Sequence, residues 1–148
     1  MENSNNITLY HATNFDYSRR IIKDGAIKAR IYRVIKLPEL DGSEPLDLKK
    51  HLENAERVKR VYLADDIILA STYSLNGSDV VFEVQIPYEW VREHGLSPRA
   101  YETIDGVEQI PLERVTKIMS NNPNETKNVL TDSGRLDIMV EEGFITNL

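Results

Sequence analysis

His11 closes the stretch "ITLYHA", and small residues follow it. Tyr62 sits in "VYLADD", Tyr73 ends "IILASTY", Glu102 lies in "AYETI" and Glu108 in "GVEQIP". These side chains offer an imidazole, two aromatic rings and two carboxylates. A carboxylate beside a sugar can stabilise developing positive charge, and an aromatic ring can stack on a planar ligand. Each residue also has a plain structural role open to it. A strand-end histidine, two core tyrosines and an exposed strand carboxylate are ordinary features. The chain has no cysteine, which removes disulfides, thiolate metal sites and a cysteine nucleophile together. His11, His51 and His94 are scattered without metal-ligand spacing, so no metal site is expected. No G-x-G-x-x-G or Walker loop is present.

Short elements must position these groups. "ITLYHA" reads as a strand. "DYSRRIIKDGAIKAR" reads as a helix capped by Asp16 or Ser18, with Ile21 and Ile22 inward and Gly25 at its end. "VIKLPELDGSEPL" carries turn chemistry and reads as a loop. "LDLKKHLENAERVKR" places Leu48, Leu52 and Ala55 on one face and predicts a helix. "RVYLA" reads as a strand. Asp65 or Asp66 caps a helix, "DIILASTYSL", ending near Asn76-Gly77. "DVVFEVQI" alternates Val80, Phe82 and Val84 against Val81, Glu83 and Gln85, the pattern of a strand. Pro87 can open a short helix, "PYEWVREHG". "AYETI", Asp105-Gly106 and "VEQI" read as strand, turn, strand. "RVTKIM" reads as a strand and "SNNPNETKN" as a polar loop. "GRLDIMVEEGFITNL" fits a helix or a strand. The sum is one α+β domain over residues 1–148, with a mainly antiparallel core of two small sheets and two or three helices.

The 148 residues carry 41% hydrophobic and 28% charged side chains, a globular balance. The formal net charge of -6 disfavours bulk nucleic-acid affinity, which rests on neutralising phosphates. The polar N-terminus has no signal-peptide pattern, and no apolar run approaches the ~20 residues needed to span a bilayer. A cytoplasmic protein without a membrane partner is expected.

Taken in order, three motifs resemble the ADP-ribosyltransferase superfamily in its His-Tyr-Glu branch. That branch holds the poly(ADP-ribose) polymerase catalytic domain and its smaller bacterial and phage relatives. "LYHATNFDYSRRIIKDGAIK" is similar to the first motif, a strand ending in His, a helix and then a Gly, here Gly25. "VYLADDIILASTY" is similar to the second, with Tyr62, Ala64, Asp65 and Tyr73 at the family spacing. "ETIDGVEQIPLERVTKI" is similar to the third, with slightly less sequence between the Glu and the Gln. The resemblance covers residues 7–118 and implies a split sandwich of two small, mainly antiparallel sheets.

The resemblance also implies a substrate, NAD, and a role for each residue. ADP-ribose passes to a macromolecular acceptor, protein or nucleic acid, and nicotinamide leaves through an oxocarbenium-like state at its ribose. Glu102 is the implied catalytic carboxylate, with Glu108 as the alternative, because a one-residue slip moves a strand side chain to the other face. His11 implies a contact to the adenosine ribose. Ala12 and Thr13 continue the cofactor-binding strand end, and the backbone of Ala12 faces the nicotinamide amide. Tyr73 implies stacking on the nicotinamide ring, and Tyr62 holds its other side or the ribose. The family often has a serine three residues before the stacking tyrosine; here that position is Ala70 and Ser71 follows it. Lys49, Lys50, Arg57, Lys59 and Arg60 on the predicted insertion helix, and Arg19, Arg20 and Arg30, read as solvated charges or as contacts to the NAD diphosphate or an anionic acceptor. An NAD glycohydrolase, a related RNA 2′-phosphotransferase and a non-catalytic NAD- or ADP-ribose-binding module share this fold. The acceptor resides in loops, so a toxin, a defence or counter-defence protein and a housekeeping modifier look alike here.

Overall fold

The computed structural model describes residues 5–34, 56–74, 76–93, 99–134 and 142–148. They form an α+β fold. Strand β1 (Asn6–Thr13) leads into α1 (Phe15–Asp24), β2 (Ala26–Lys28) and β3 (Arg30–Val34). Then come β4 (Glu56–Arg60), β5 (Tyr62–Ala64), α2 (Ile67–Tyr73) and β6 (Val80–Pro87). The chain continues through β7 (Val91–Glu93), β8 (Ala100–Thr103), β9 (Gln109–Pro111), β10 (Val115–Ser120), α3 (Pro123–Asp132) and β11 (Ile145–Asn147).

Seven strands share one sheet in the order β11-β10-β6-β1-β5-β8-β7. Its neighbours run antiparallel except β10 and β11. Two small ladders, β2–β9 and β3–β4, stand apart from it. Two separate small sheets were expected. Instead the halves are joined, but weakly. β1 pairs with β6 at eight successive positions. Its register with β5 is a single pair, Tyr10↔Ala64. A seam therefore runs between a four-stranded half and a three-stranded half.

The alternation expected in β6 is present. Val80, Phe82, Val84 and Ile86 are buried in the main core with Leu9, Ile22, Ile27, Ile110, Ile118 and Leu130. Val81 faces the other way and is buried too, because α2 covers the sheet there. Ala12, Ala64, Ala70, Val81 and Met119 form that second cluster.

Several local expectations are corrected. Helix α1 is capped by Asn14, not by Asp16 or Ser18: Asn14 Oδ1 accepts from Tyr17 N at 2.8 Å. Ser18 lies inside the helix and donates to the Phe15 carbonyl. Gly25 ends α1 at φ 77°, a left-handed conformation that suits glycine, and its N–H returns to the Ile21 carbonyl. Asp66, rather than Asp65, caps α2, which stops at Tyr73. The helix predicted over residues 46–60 falls mostly outside the described residues, as does the loop before it. Its last part, Glu56–Arg60, is strand β4 paired with β3, a case of long-range pairing overriding helical spacing.

Pro87 opens only a single 3₁₀ turn, Tyr88–Trp90, before β7; residues 94–98 lie outside the described set. "AYETI" and "VEQI" are both strands but do not pair with each other. β8 joins β5 and β7, whereas β9 joins β2 and buries Ile110 opposite Ile27. The stretch "SNNPNETKN" is not a loop. Asn122 caps α3 and Pro123 occupies its first turn, where a missing N–H costs nothing. Of the ambiguous C-terminal stretch, Ile145–Asn147 is a strand; residues 135–141 lie outside the described set.

Candidate functional site

The seam opens toward the end of β1, where His11 lies. The register between β1 and β5 is the single pair Tyr10↔Ala64. The His11 ring meets β5 beside that pair, with Nδ1 3.1 Å from the Tyr62 carbonyl oxygen. A carbonyl only accepts, so Nδ1 carries the proton, and in the neutral ring Nε2 is the acceptor nitrogen. Burial pushes the His11 pKa below its ordinary value. The charge of Arg30 lowers it further, and the Tyr62 carbonyl partly offsets both. The His11 ring is therefore neutral near neutral pH.

Tyr62 stands directly opposite Glu102 on β8, and Glu102 stands opposite Arg92 on β7. Opposite residues on antiparallel strands share a face, so the three side chains form a row. Arg92 Nε donates to Glu102 Oε1 at 2.8 Å. The Glu102 side chain keeps 14% of its surface exposed, and Oε2 has no hydrogen bond among the described residues. Glu108 is elsewhere. It is exposed in the approach to β9, and its backbone carbonyl accepts from Ala29 N at 2.7 Å. The structure brings Glu102, and not Glu108, beside Tyr62.

Helix α2 supplies the third side. Ala70 is buried against the cluster that holds Ala12, which accounts for a small apolar residue at that position. Ser74, just past the helix, donates to the Ala12 carbonyl at 2.9 Å and pins the helix end to β1. Tyr73 thus stands beside this strand end with 48% of its surface exposed, a large aromatic left open to solvent. Ser71 is half-buried, one residue past Ala70. Ala12 and Thr13 are 6% and 1% exposed, so their side chains are inside the fold.

The arginines divide. Arg19 pairs with Glu125 of α3 and with Asp16, a structural role. Arg60 is buried and pairs with Asp105. Lys59 is exposed, and Lys49, Lys50, His51 and His94 lie outside the described residues. Sequence reasoning missed Arg92, Ser74 and Tyr17. Arg92 acts across a strand pair, which no local spacing reveals. Ser74 was visible only as a residue near the end of a helix.

Among the described residues, no three metal-ligating side chains gather, and no helix is long and apolar enough to cross a membrane. No protein-family model matches the chain, and no curated protein matches it.

Proposed function

We propose that the protein is an NAD-dependent mono-ADP-ribosyltransferase, built on the ADP-ribosyltransferase-like split sandwich. The observation that carries this reading is the position of Tyr62. Its backbone meets His11 of the first motif, and its side chain shares a row with Glu102 of the third. Three segments that resemble one family in order along the chain thus meet at one seam.

The chemistry follows from the groups available. Nε2 of neutral His11 accepts from an adenosine-ribose hydroxyl. The exposed ring of Tyr73 stacks on nicotinamide. Oε2 of Glu102 accepts from the 2′-hydroxyl of the nicotinamide ribose while its charge stabilises the oxocarbenium-like centre. The bond from C1′ to the nicotinamide nitrogen breaks, its electron pair leaves with nicotinamide, and an acceptor nucleophile bonds to C1′.

A second reading, a non-catalytic NAD- or ADP-ribose-binding module, has one observation in its favour. The Ala12 carbonyl, expected to meet the nicotinamide amide, already accepts from Ser74. Labelled NAD distinguishes the readings. Transfer of label to a macromolecule together with free nicotinamide supports the transferase. Nicotinamide without transfer supports a glycohydrolase. Binding without turnover supports the module. Turnover that survives Glu102→Gln but not Glu108→Gln overturns the site assignment.

A further inference from the structure

Acidic residues outnumber basic ones, 24 to 18, and Arg19, Arg60, Arg92 and Arg99 have carboxylate partners. Arg20 and Arg30, like Arg114 over the Trp90 ring, are held by an aromatic ring instead. Among the described residues, neither Arg20 nor Arg30 has an ion pair. Both flank Tyr17, with guanidinium carbons 5.3 and 5.0 Å from the ring centroid. Arg30 Nη2 also donates to the Tyr17 hydroxyl at 3.2 Å. The charge of Arg30 is felt at the His11 ring.

A third guanidinium neighbours Arg30. Arg60 lies directly opposite Arg30 across the β3–β4 ladder. Like charges at opposite positions repel, an arrangement that costs stability unless something offsets it. Arg60 is 6% exposed, and its Nε–H is buried without a partner. Its carboxylate partner, Asp105, has a side chain 88% exposed, where water screens the charge. Stacking on Tyr17 accounts for Arg20. It leaves unexplained why Arg30 and Arg60 face each other and why a buried donor is unsatisfied.

We propose that Tyr17, Arg20 and Arg30, backed by Arg60, form a phosphate-binding subsite beside His11, at the adenosine end of the bound dinucleotide. The ligand's identity rests on the NAD reading above. The subsite itself rests on the arginine cluster. Guanidinium groups present paired N–H donors that match phosphate oxygens, and the Tyr17 hydroxyl adds another donor. Two phosphates are within this chemistry. One is the diphosphate that joins the two nucleosides. The other is a phosphate on the adenosine-ribose 2′-hydroxyl, as in NADP, which an arginine near that ribose accommodates.

Isothermal titration of the full chain with NAD, NADP and inorganic pyrophosphate at low salt tests this. Arg30→Gln and Arg20→Gln are each expected to weaken binding, Arg30→Gln by about 10- to 100-fold. Arg30→Lys should recover part of the loss. Arg20 is exposed, so its variant keeps the fold, which thermal melting checks. Equal losses for NAD and NADP assign the diphosphate. A loss confined to NADP assigns the 2′-phosphate. Arg30-dependent pyrophosphate binding without dinucleotide binding supports the subsite and removes the NAD reading. Unchanged affinities in both glutamine variants, or no binding of any of the three by the native chain, overturn the subsite.

Discussion

Arg92 on β7 and Glu102 on β8 face each other across one ladder, joined by a 2.8 Å hydrogen bond from Nε to Oε1. The arginine occupies one carboxylate oxygen, and the other has no hydrogen bond among the described residues. On the transferase reading, Arg92 is a positioning residue for Glu102. Glu102→Gln should lower nicotinamide release by about 100-fold or more, as expected for a group that stabilises transition-state charge. Arg92→Ala should lower it about tenfold, mostly in kcat, for a residue acting through the first. The two effects should not add: in the Glu102→Gln background, Arg92→Ala changes turnover little. Half of the Arg92 side chain is exposed, so its loss should cost less than ~1 kcal/mol in urea unfolding. Additive effects on turnover would break the link between the pair.

His11 makes a prediction about pH. Its pKa in the folded protein lies below the ordinary 6.5, chiefly because burial disfavours the charged ring. Between the two values the unfolded chain binds more protons than the folded one, so stability rises with pH there. The contribution is fully present above 6.5 and is lost as pH falls through the folded value. His11→Asn should flatten this part of the profile. NMR titration of the ring checks the premise directly, and a midpoint at or above 6.5 would refute it.

Asn122 holds α3 in a stretch with no apolar residue until Val129. Its side chain accepts from Glu125 N at 3.2 Å, and its amide reaches the Glu125 carboxylate at 3.3 Å. Asn122→Ala should cost about 1 kcal/mol. Because Glu125 also pairs with Arg19 of α1, the loss should reach the α1–α3 contact. Amide exchange in both helices, compared with global unfolding, measures it.

The same helix shows where sequence was insufficient. "SNNPNETKN" is polar and contains a proline, which suits a loop as well as a capped first turn. Only the burial of Thr126 and Leu130 decides between them. Glu56–Arg60 likewise follows a helical run in sequence, and its pairing with β3 is long-range. Strand β6 was legible because alternation and burial agree at Val80, Phe82 and Val84. His11, Tyr62, Tyr73 and Glu102 were candidates in the sequence by type and order alone. The seam that brings His11 to the Tyr62 carbonyl was not legible, because it depends on a ladder that stops after one pair. Arg92 was invisible for a similar reason, since its partner is set by strand register.

Arg60 offers a test that separates stability from binding. It is a buried guanidinium with an unsatisfied Nε–H, placed opposite another arginine. Replacing a buried charge with an apolar side chain of similar volume is often stabilising, by about 1–4 kcal/mol. Arg60→Met should therefore raise the urea midpoint of the free protein. Asp105, left alone, is largely solvated and costs little. The same change removes positive potential behind Arg30, so pyrophosphate should bind more weakly. A protein that becomes more stable while losing its anion would have kept Arg60 for binding. A large loss of stability instead would mean that Arg60 holds the β3–β4 ladder to the turn at Asp105, and that its charge serves the fold.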